Sequence, residues 1–439
     1  MSPNPYLPMK KFWFNCLMVS VFTFLLMGAL YEMLQLKIFS AFDPIGQAIG
    51  DMELSDIAFS QIRTDPPPDS NVVMVNIGYL GRGEMGDEIR NIIKYKPKVI
   101  GFDILFSCTD CDPARDTAAN LSFASAIKQA EETGVKVVMA HKLHQSKALI
   151  EKHGDTELQD SIEHTIELLR QNSYEGFVNL DTDAEHQEDL KACRRLNPKI
   201  NINGKDELAY SVQMAMLFDS VKTKKFLNRG NKTEIINYRG NVVDFHGAST
   251  YSGQYSLLDP DQALDTGYYP EYERLLKGKV VLFGFLGNDM FDTSWDDQFF
   301  TPINKNYAGK SRPDMYGVVI HANVVSMILK EDYVDEMSFW QQIVLAFLVL
   351  LLTSALFFKI EEKMPIWYDL LSLLIQVTMF ALFSFAMILV FSYYSIKLDF
   401  TLTLAAVALV GTCFELYNGG VLRLYGVLSK KFTKQPEQV

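Results

Sequence analysis

Cysteine is scarce in this chain, 5 in 439 residues, which excludes a small disulfide-stapled scaffold. Glycine (26) and proline (16) keep to ordinary usage with no internal repeat, so a collagen-like or low-complexity chain is excluded as well. There is no Gly-x-Ser-x-Gly elbow, no zincin motif, no kinase motif set and no Walker lysine, and nothing in the sequence predicts an enzyme. The shortage that matters most is of charge, and it is local. The mean charged share of 21% hides it.

Four windows are nearly uncharged. Residues 12–36 hold only Glu32, residues 339–358 and 370–396 hold no charge, and residues 400–422 hold only Glu415. About 20 apolar residues in a helix cross the ~30 Å hydrocarbon core, so all four predict transmembrane helices. The first is too long for a cleaved signal and reads as a signal-anchor. Lys10 and Lys11 flank its start, Lys359 and Lys363 lie in the turn after the second span, and Arg423, Lys430, Lys431 and Lys434 follow the last. By the positive-inside rule, the tails 1–11 and 423–439 and that turn are cytoplasmic. Residues 37–338 then face the periplasm of a bacterial inner (cytoplasmic) membrane or its equivalent. Glu32, Asp369 and Glu415 sit near the membrane boundaries, where acids snorkel to the interface, and no proton path is implied.

The external segment 37–338 carries 32 basic and 46 acidic residues, net −14, against +2 for the remainder. That balance discourages nucleic acid and anionic head groups and would suit a cationic ligand or partner. Its element order predicts an α/β fold with a largely parallel sheet covered by helices. Val72–Ile77, Lys98–Phe106 and Val135–Ala140 read as buried strands, with helices around Ile89–Ile93 and Ala114–Glu132 between them. The middle, His144–Asn231, reads as more helical, with Glu207–Phe218 amphipathic. Glu234–Tyr238 and Val242–Phe245 read as a hairpin, Lys279–Phe285 as a late strand, and Val318–Lys330 as a helix leading to the second span.

In parallel sheets ligands gather beyond the carboxyl ends of the strands. Asn76, Asp103, His141 and Asn288 or Asp289 fall there. Asp103 interrupts an apolar strand, so its carboxylate needs a partner, whether a ligand or hydrogen bonds that hold loops together. His141 and His144 have no acidic partner at an obvious spacing and read as surface histidines. Asp289, Asp292, Asp296 and Asp297 lack the EF-hand alternation. Cys108, Cys111 and Cys193 are disulfide candidates in an oxidising compartment, with the pairing open; the acidic neighbours Asp110 and Asp112 oppose a reactive thiolate. No metal and no cofactor are predicted.

Several segments together resemble the CHASE domain of the second type, an extracytoplasmic sensory module of bacterial membrane receptors. They are Val99–Phe106, Leu276–Gly284, Asp297 with Thr301-Pro302, and Gly317–Asn323 with His321. One anchor before the domain and three spans after it fit the same family layout. Ile77-Gly78 stands where the family usually has Ile-Asp, and Tyr316 where it has proline. The resemblance implies that Asp297, Thr301, Pro302, Gly317, His321 and Asn323 are structural motif residues. Family members often carry a cytoplasmic output domain, whereas 17 residues follow the last span here. The expected role is therefore a sensory or regulatory subunit, in the lipid bilayer and able to form a homo-oligomer, that signals to a separate membrane or cytoplasmic effector. The alternative is a structural subunit of an envelope complex, with the external domain as docking surface.

Overall fold

The computed structural model describes residues 9–34, 54–107, 113–153, 159–180, 192–243, 251–287, 297–305 and 312–421. They form two compact units, residues 59–334 and the two ends of the chain. The N-terminal end contributes one long helix, α1 (Met9–Leu34).

The central unit opens with β1 (Val72–Asn76), α2 (Arg82–Ile92), β2 (Val99–Phe102), α3 (Pro113–Glu132) and β3 (Lys136–His144). There follow β4 (Ser161–Glu163), β5 (Tyr174–Phe177), α4 (Tyr210–Phe218), β6 (Ser256–Leu258), β7 (Val280–Gly284) and α5 (Gly317–Lys330). The sheet order is β6-β1-β7-β2-β3-β4, with β5 also paired to β3. Every pairing is parallel except β3 with β4. The late strand β7 thus lies between β1 and β2, so both halves of the segment complete one sheet.

The central strands β1, β2 and β7 have no wet face because helices cover both sides, as continuous apolar runs require. On one side Ile89, Ile92, Phe123 and Ile127 pack against Val73, Ile100, Phe102 and Phe283. On the other side lie α4 and α5. The close seat of α4 depends on two glycines. A Cβ on Gly176 would stand 2.6 Å from Tyr210 Cα, and one on Gly101 would meet Met214 Cε at 2.6 Å and the Tyr210 hydroxyl closer still.

Several local expectations need correction. β2 stops at Phe102 rather than Phe106, so Asp103 opens a loop, while β3 runs on to His144. The middle carries helices, Lys147–His153, Glu167–Arg170, Tyr210–Phe218 and Ser220–Leu227, but also unexpected strands. It adds β4 and β5 to the sheet and makes two small antiparallel ladders, Arg195–Leu196 with Glu234–Ile235 and Lys199–Ile202 with Lys205–Leu208. Glu207 accordingly belongs to a strand, and the helix begins only at Tyr210. Among the described residues no hairpin turns at Arg239-Gly240-Asn241: Glu234–Ile235 pairs with Arg195–Leu196 instead, and Asp244 and Phe245 of the expected second strand lie outside the described residues.

The unit from the chain ends holds α1, α6 (Phe339–Lys363), α7 (Tyr368–Tyr394) and α8 (Thr401–Leu416), the last continued by a π-helical turn to Val421. All four are long and apolar enough to cross a bilayer. α1, α6 and α8 pack together through Cys16, Val19, Leu350, Phe357 and Phe414. The hydroxyls of Ser20 and Thr23 donate to the carbonyls of Cys16 and Val19, both at 2.9 Å, which satisfies them without water. Ser338 and Gln341 form a capping box at the start of α6, and Pro365 follows its end. Lys359 and Lys363 belong to the last turns of α6 rather than to a loop.

Gly176→Ala, whose Cβ would meet the Tyr210 backbone, should force α4 off the sheet at a cost of about 1–3 kcal/mol. A drop in the thermal midpoint of the full-length protein in detergent checks this, and an unchanged midpoint would count against the close packing.

Candidate functional site

Asp103 leaves the sheet at the carboxyl end of β2, its backbone N–H donating to the Phe283 carbonyl of β7 at 2.9 Å. Strand alternation sends its side chain the same way as Gly101, toward α4 and α5. There His321 Nε2 of α5 stands 3.7 Å from Asp103 Oδ1, with the side chains only 5% and 11% exposed. The imidazole also hydrogen-bonds the backbone of Val178, just past β5. The Tyr210 ring meets the His321 ring edge to face at 5.1 Å, and the buried Tyr210 hydroxyl has no hydrogen-bond partner among the described residues. Asp297 completes the group. Its carbonyl accepts from the Gly317 N–H at 3.1 Å, and a Cβ on Gly317 would stand 3.3 Å from both of its carboxylate oxygens. An Asp297 carboxylate therefore lies at the N-terminus of α5, where the helix dipole favours it.

The electrostatics follow from desolvation. Burial pushes the Asp103 carboxyl up to about 7. Burial and then the neighbouring Asp103 push Asp297 up to about 7 too. Asp297 is an exposed residue, so burial weighs less there than at Asp103. Burial drives His321 down to about 4, against the opposing pull of the Val178 backbone bond. Burial, and next the Asp103 charge, raises the Tyr210 phenol. Asp103 and His321 are therefore no ion pair. The 3.7 Å gap is too long for a hydrogen bond, and burial shifts both groups toward their neutral forms. Burial favours the neutral form of Asp103, and the Asp103 charge in turn disfavours ionisation of Asp297, so the two form a neighbouring acid pair. Such a pair, flanked by an unpartnered hydroxyl, can take up a proton or engage a cationic or multi-donor ligand.

The other sequence candidates divide sharply. Asn76 is saturated: its carboxamide accepts from Gly78 and Leu286 at 3.0 Å and donates to the Gly287 carbonyl at 3.1 Å, tying the end of β1 to that of β7. Asn323 is occupied by backbone partners. It accepts from the Arg239 and Gly240 N–H groups at 2.8 and 3.2 Å and donates to the Gly240 carbonyl at 3.0 Å. Thr301 donates through its hydroxyl (2.6 Å) and its backbone N–H (2.8 Å) to Asp314, with Pro302 buried beside it. Asp314 carried no sequence signal. Nor did Tyr210, which read as one more residue of an amphipathic helix.

His141 does not join Asp103. Phe102 pairs with Met139, so the pleat turns His141 with Met139, away from Gly101 and Asp103. It is buried rather than on the surface, while His144 pairs with Glu163 at 2.9 Å. Cys193 is buried with its sulfur 3.9 Å from the Arg195 carbonyl oxygen. Cys108, Cys111, Asn288 and Asp289 lie outside the described residues.

A doubly covered parallel sheet with an acid–histidine cluster at its strand ends, on a chain with four spanning-length helices, defines the class as a membrane-anchored α/β domain. The chain belongs to the CHASE2 domain family, whose model matches residues 50–356, and CHASE2 domains are sensory. No curated protein and no solved structure matches it.

Two variants check this arrangement. Raising the carboxyl pKa of Asp103 by folding makes the folded state the stronger proton binder between about pH 4 and 7, so its contribution to stability falls as pH rises through that window. Asp103→Asn should therefore gain thermal midpoint over the parent, by more at pH 8 than at pH 5, at roughly 2–4 °C per kcal/mol. A difference independent of pH would show that Asp103 titrates normally. Asn323→Ala leaves buried backbone groups of Arg239 and Gly240 without their partner and should cost about 3 kcal/mol, read as a lower midpoint in the same assay.

Proposed function

We propose that this protein is a sensory subunit whose external domain takes a ligand or proton at the Asp103–Asp297–His321 cluster and passes the change through its membrane helices to a separate partner protein. The observation that carries the reading is where His321 sits. It is on α5, and only residues 331–338 separate that helix from α6, the second span. A charge change at Asp103 acts directly on the element that leads into the membrane. A ligand shifts such a system only by its differential affinity for two states, and the acid pair supplies two states that differ in charge. The net −14 of the external segment favours a small cationic ligand. Lysines and arginines at the span ends support an inner-membrane topology with cytoplasmic termini and a periplasmic domain. The role is non-catalytic, and turnover lost on Asp103→Ala would reverse that reading.

Photo-crosslinkers placed along α6–α8 of the full chain in cells, read by mass spectrometry, test the proposal. We expect one membrane or cytoplasmic effector, with a yield that changes several-fold in Asp103→Asn and His321→Gln. Absence of any partner on the bundle would sink it. A partner captured only on the external domain, indifferent to both variants, would favour the docking-subunit alternative.

A further inference from the structure

A second polar cluster lies at the edge of the sheet, where no motif announced it. His141 near the end of β3, His164 just past β4 and Glu175 in β5 bring one ligand atom each to within 4.8 Å of one another. The His141 side chain is wholly buried, and neither of its ring nitrogens has a hydrogen-bond partner among the described residues. Two orphaned nitrogens on a buried imidazole are costly unless something else takes them. The His164 ring is 5.6 Å away, centre to centre, and His164 Nδ1 lies 3.1 Å from Glu175 Oε1. Arg170 stands 3.6 Å from the other Glu175 oxygen and can orient the carboxylate without occupying Oε1.

We propose that His141, His164 and Glu175 bind a divalent transition-metal ion of the zinc type. Two imidazoles and one carboxylate are a borderline-soft donor set, suited to zinc and its neighbours rather than to calcium or magnesium. Ligands around a tetrahedral ion with bonds of about 2.1 Å stand about 3.4 Å apart. Closure therefore needs roughly an ångström of movement, which His164 can supply because its side chain is 37% exposed. The same exposure leaves the fourth position open to water or a small ligand, so the ion is exchangeable. Bound there, it ties β3, β5 and the segment after β4 into one edge.

The test uses the full-length chain in detergent, purified without a histidine tag and stripped with EDTA. Titration with Co²⁺ should give visible d–d bands, saturating at one ion per chain and bleached by Zn²⁺. His164→Ala and Glu175→Gln sit at partly exposed positions that the fold tolerates. Each should weaken Co²⁺ at least about 100-fold, since even outer-shell changes cost 10–100-fold. His144→Ala, three positions past His141 on the same strand but outside the triad, should leave the titration unchanged. No stoichiometric uptake, or uptake of equal affinity in His164→Ala and Glu175→Gln, would overturn the proposal.

Discussion

The helix Gly317–Lys330 has no wet side: every residue from Gly317 to Leu329 is buried. A helix enclosed in this way cannot leave a polar side chain to solvent, so each one it carries must find its partner inside the protein. His321 meets Asp103 and the backbone of Val178. Asn323 holds the Arg239-Gly240 backbone, and the Ser326 hydroxyl donates to the buried carboxylate of Asp69, with Lys330 3.8 Å from the same group. Four segments far apart in sequence, around Asp69, Asp103, Val178 and Arg239-Gly240, are thus held by one helix. Losing the Asn323 or Ser326 contact leaves a buried group unpaired, which costs more than the contact itself is worth.

The sheet imposes a matching condition. β7 sits between β1 and β2 although it follows them by most of the domain, so β1 and β2 never pair directly. Its Phe283 carbonyl receives the Asp103 N–H, and its exit loop is bound to Asn76. The acid at the end of β2 is therefore positioned by the last strand to be made. The site cannot exist in a partly assembled domain, and long-range pairing of this kind is slow to form.

Much of this was legible in the chain, for identifiable reasons. Long uncharged windows need no tertiary information to reveal spanning helices, because bilayer thickness sets their length. β1, β2 and β7 showed as continuous apolar runs because both their faces are covered. Asp103 stood out as a charge at the end of such a run. What failed to show was decided by partners distant in sequence. Arg239-Gly240-Asn241 has the composition of a hairpin turn, yet Asn323 claims that backbone and Arg195–Leu196 takes the neighbouring strand. Tyr210 looks like any helical aromatic, and only glycine at positions 101 and 176 lets it reach the acid. His141 and His144 read as surface histidines, whereas the neighbours that count for His141, namely His164 and Glu175, are set by the pairing of β3 with β4 and β5.

The pleat also keeps the two polar clusters apart. Asp103 follows Gly101 toward α4 and α5, while His141 follows Met139 to the other face. The clusters still share a backbone link. Val178 donates its N–H to the His141 carbonyl at 3.0 Å and is hydrogen-bonded in turn by the His321 ring. A shift of β5 driven from the His141 side would move the Val178 group that His321 holds, and His321 stands beside the acid pair. Two chemically distinct inputs, a proton or ligand at Asp103 and an ion at His141, would then converge on one buried helix. With every face in contact, such a helix would respond by moving between discrete seatings rather than by bending gradually, because close-packed interiors do not deform continuously.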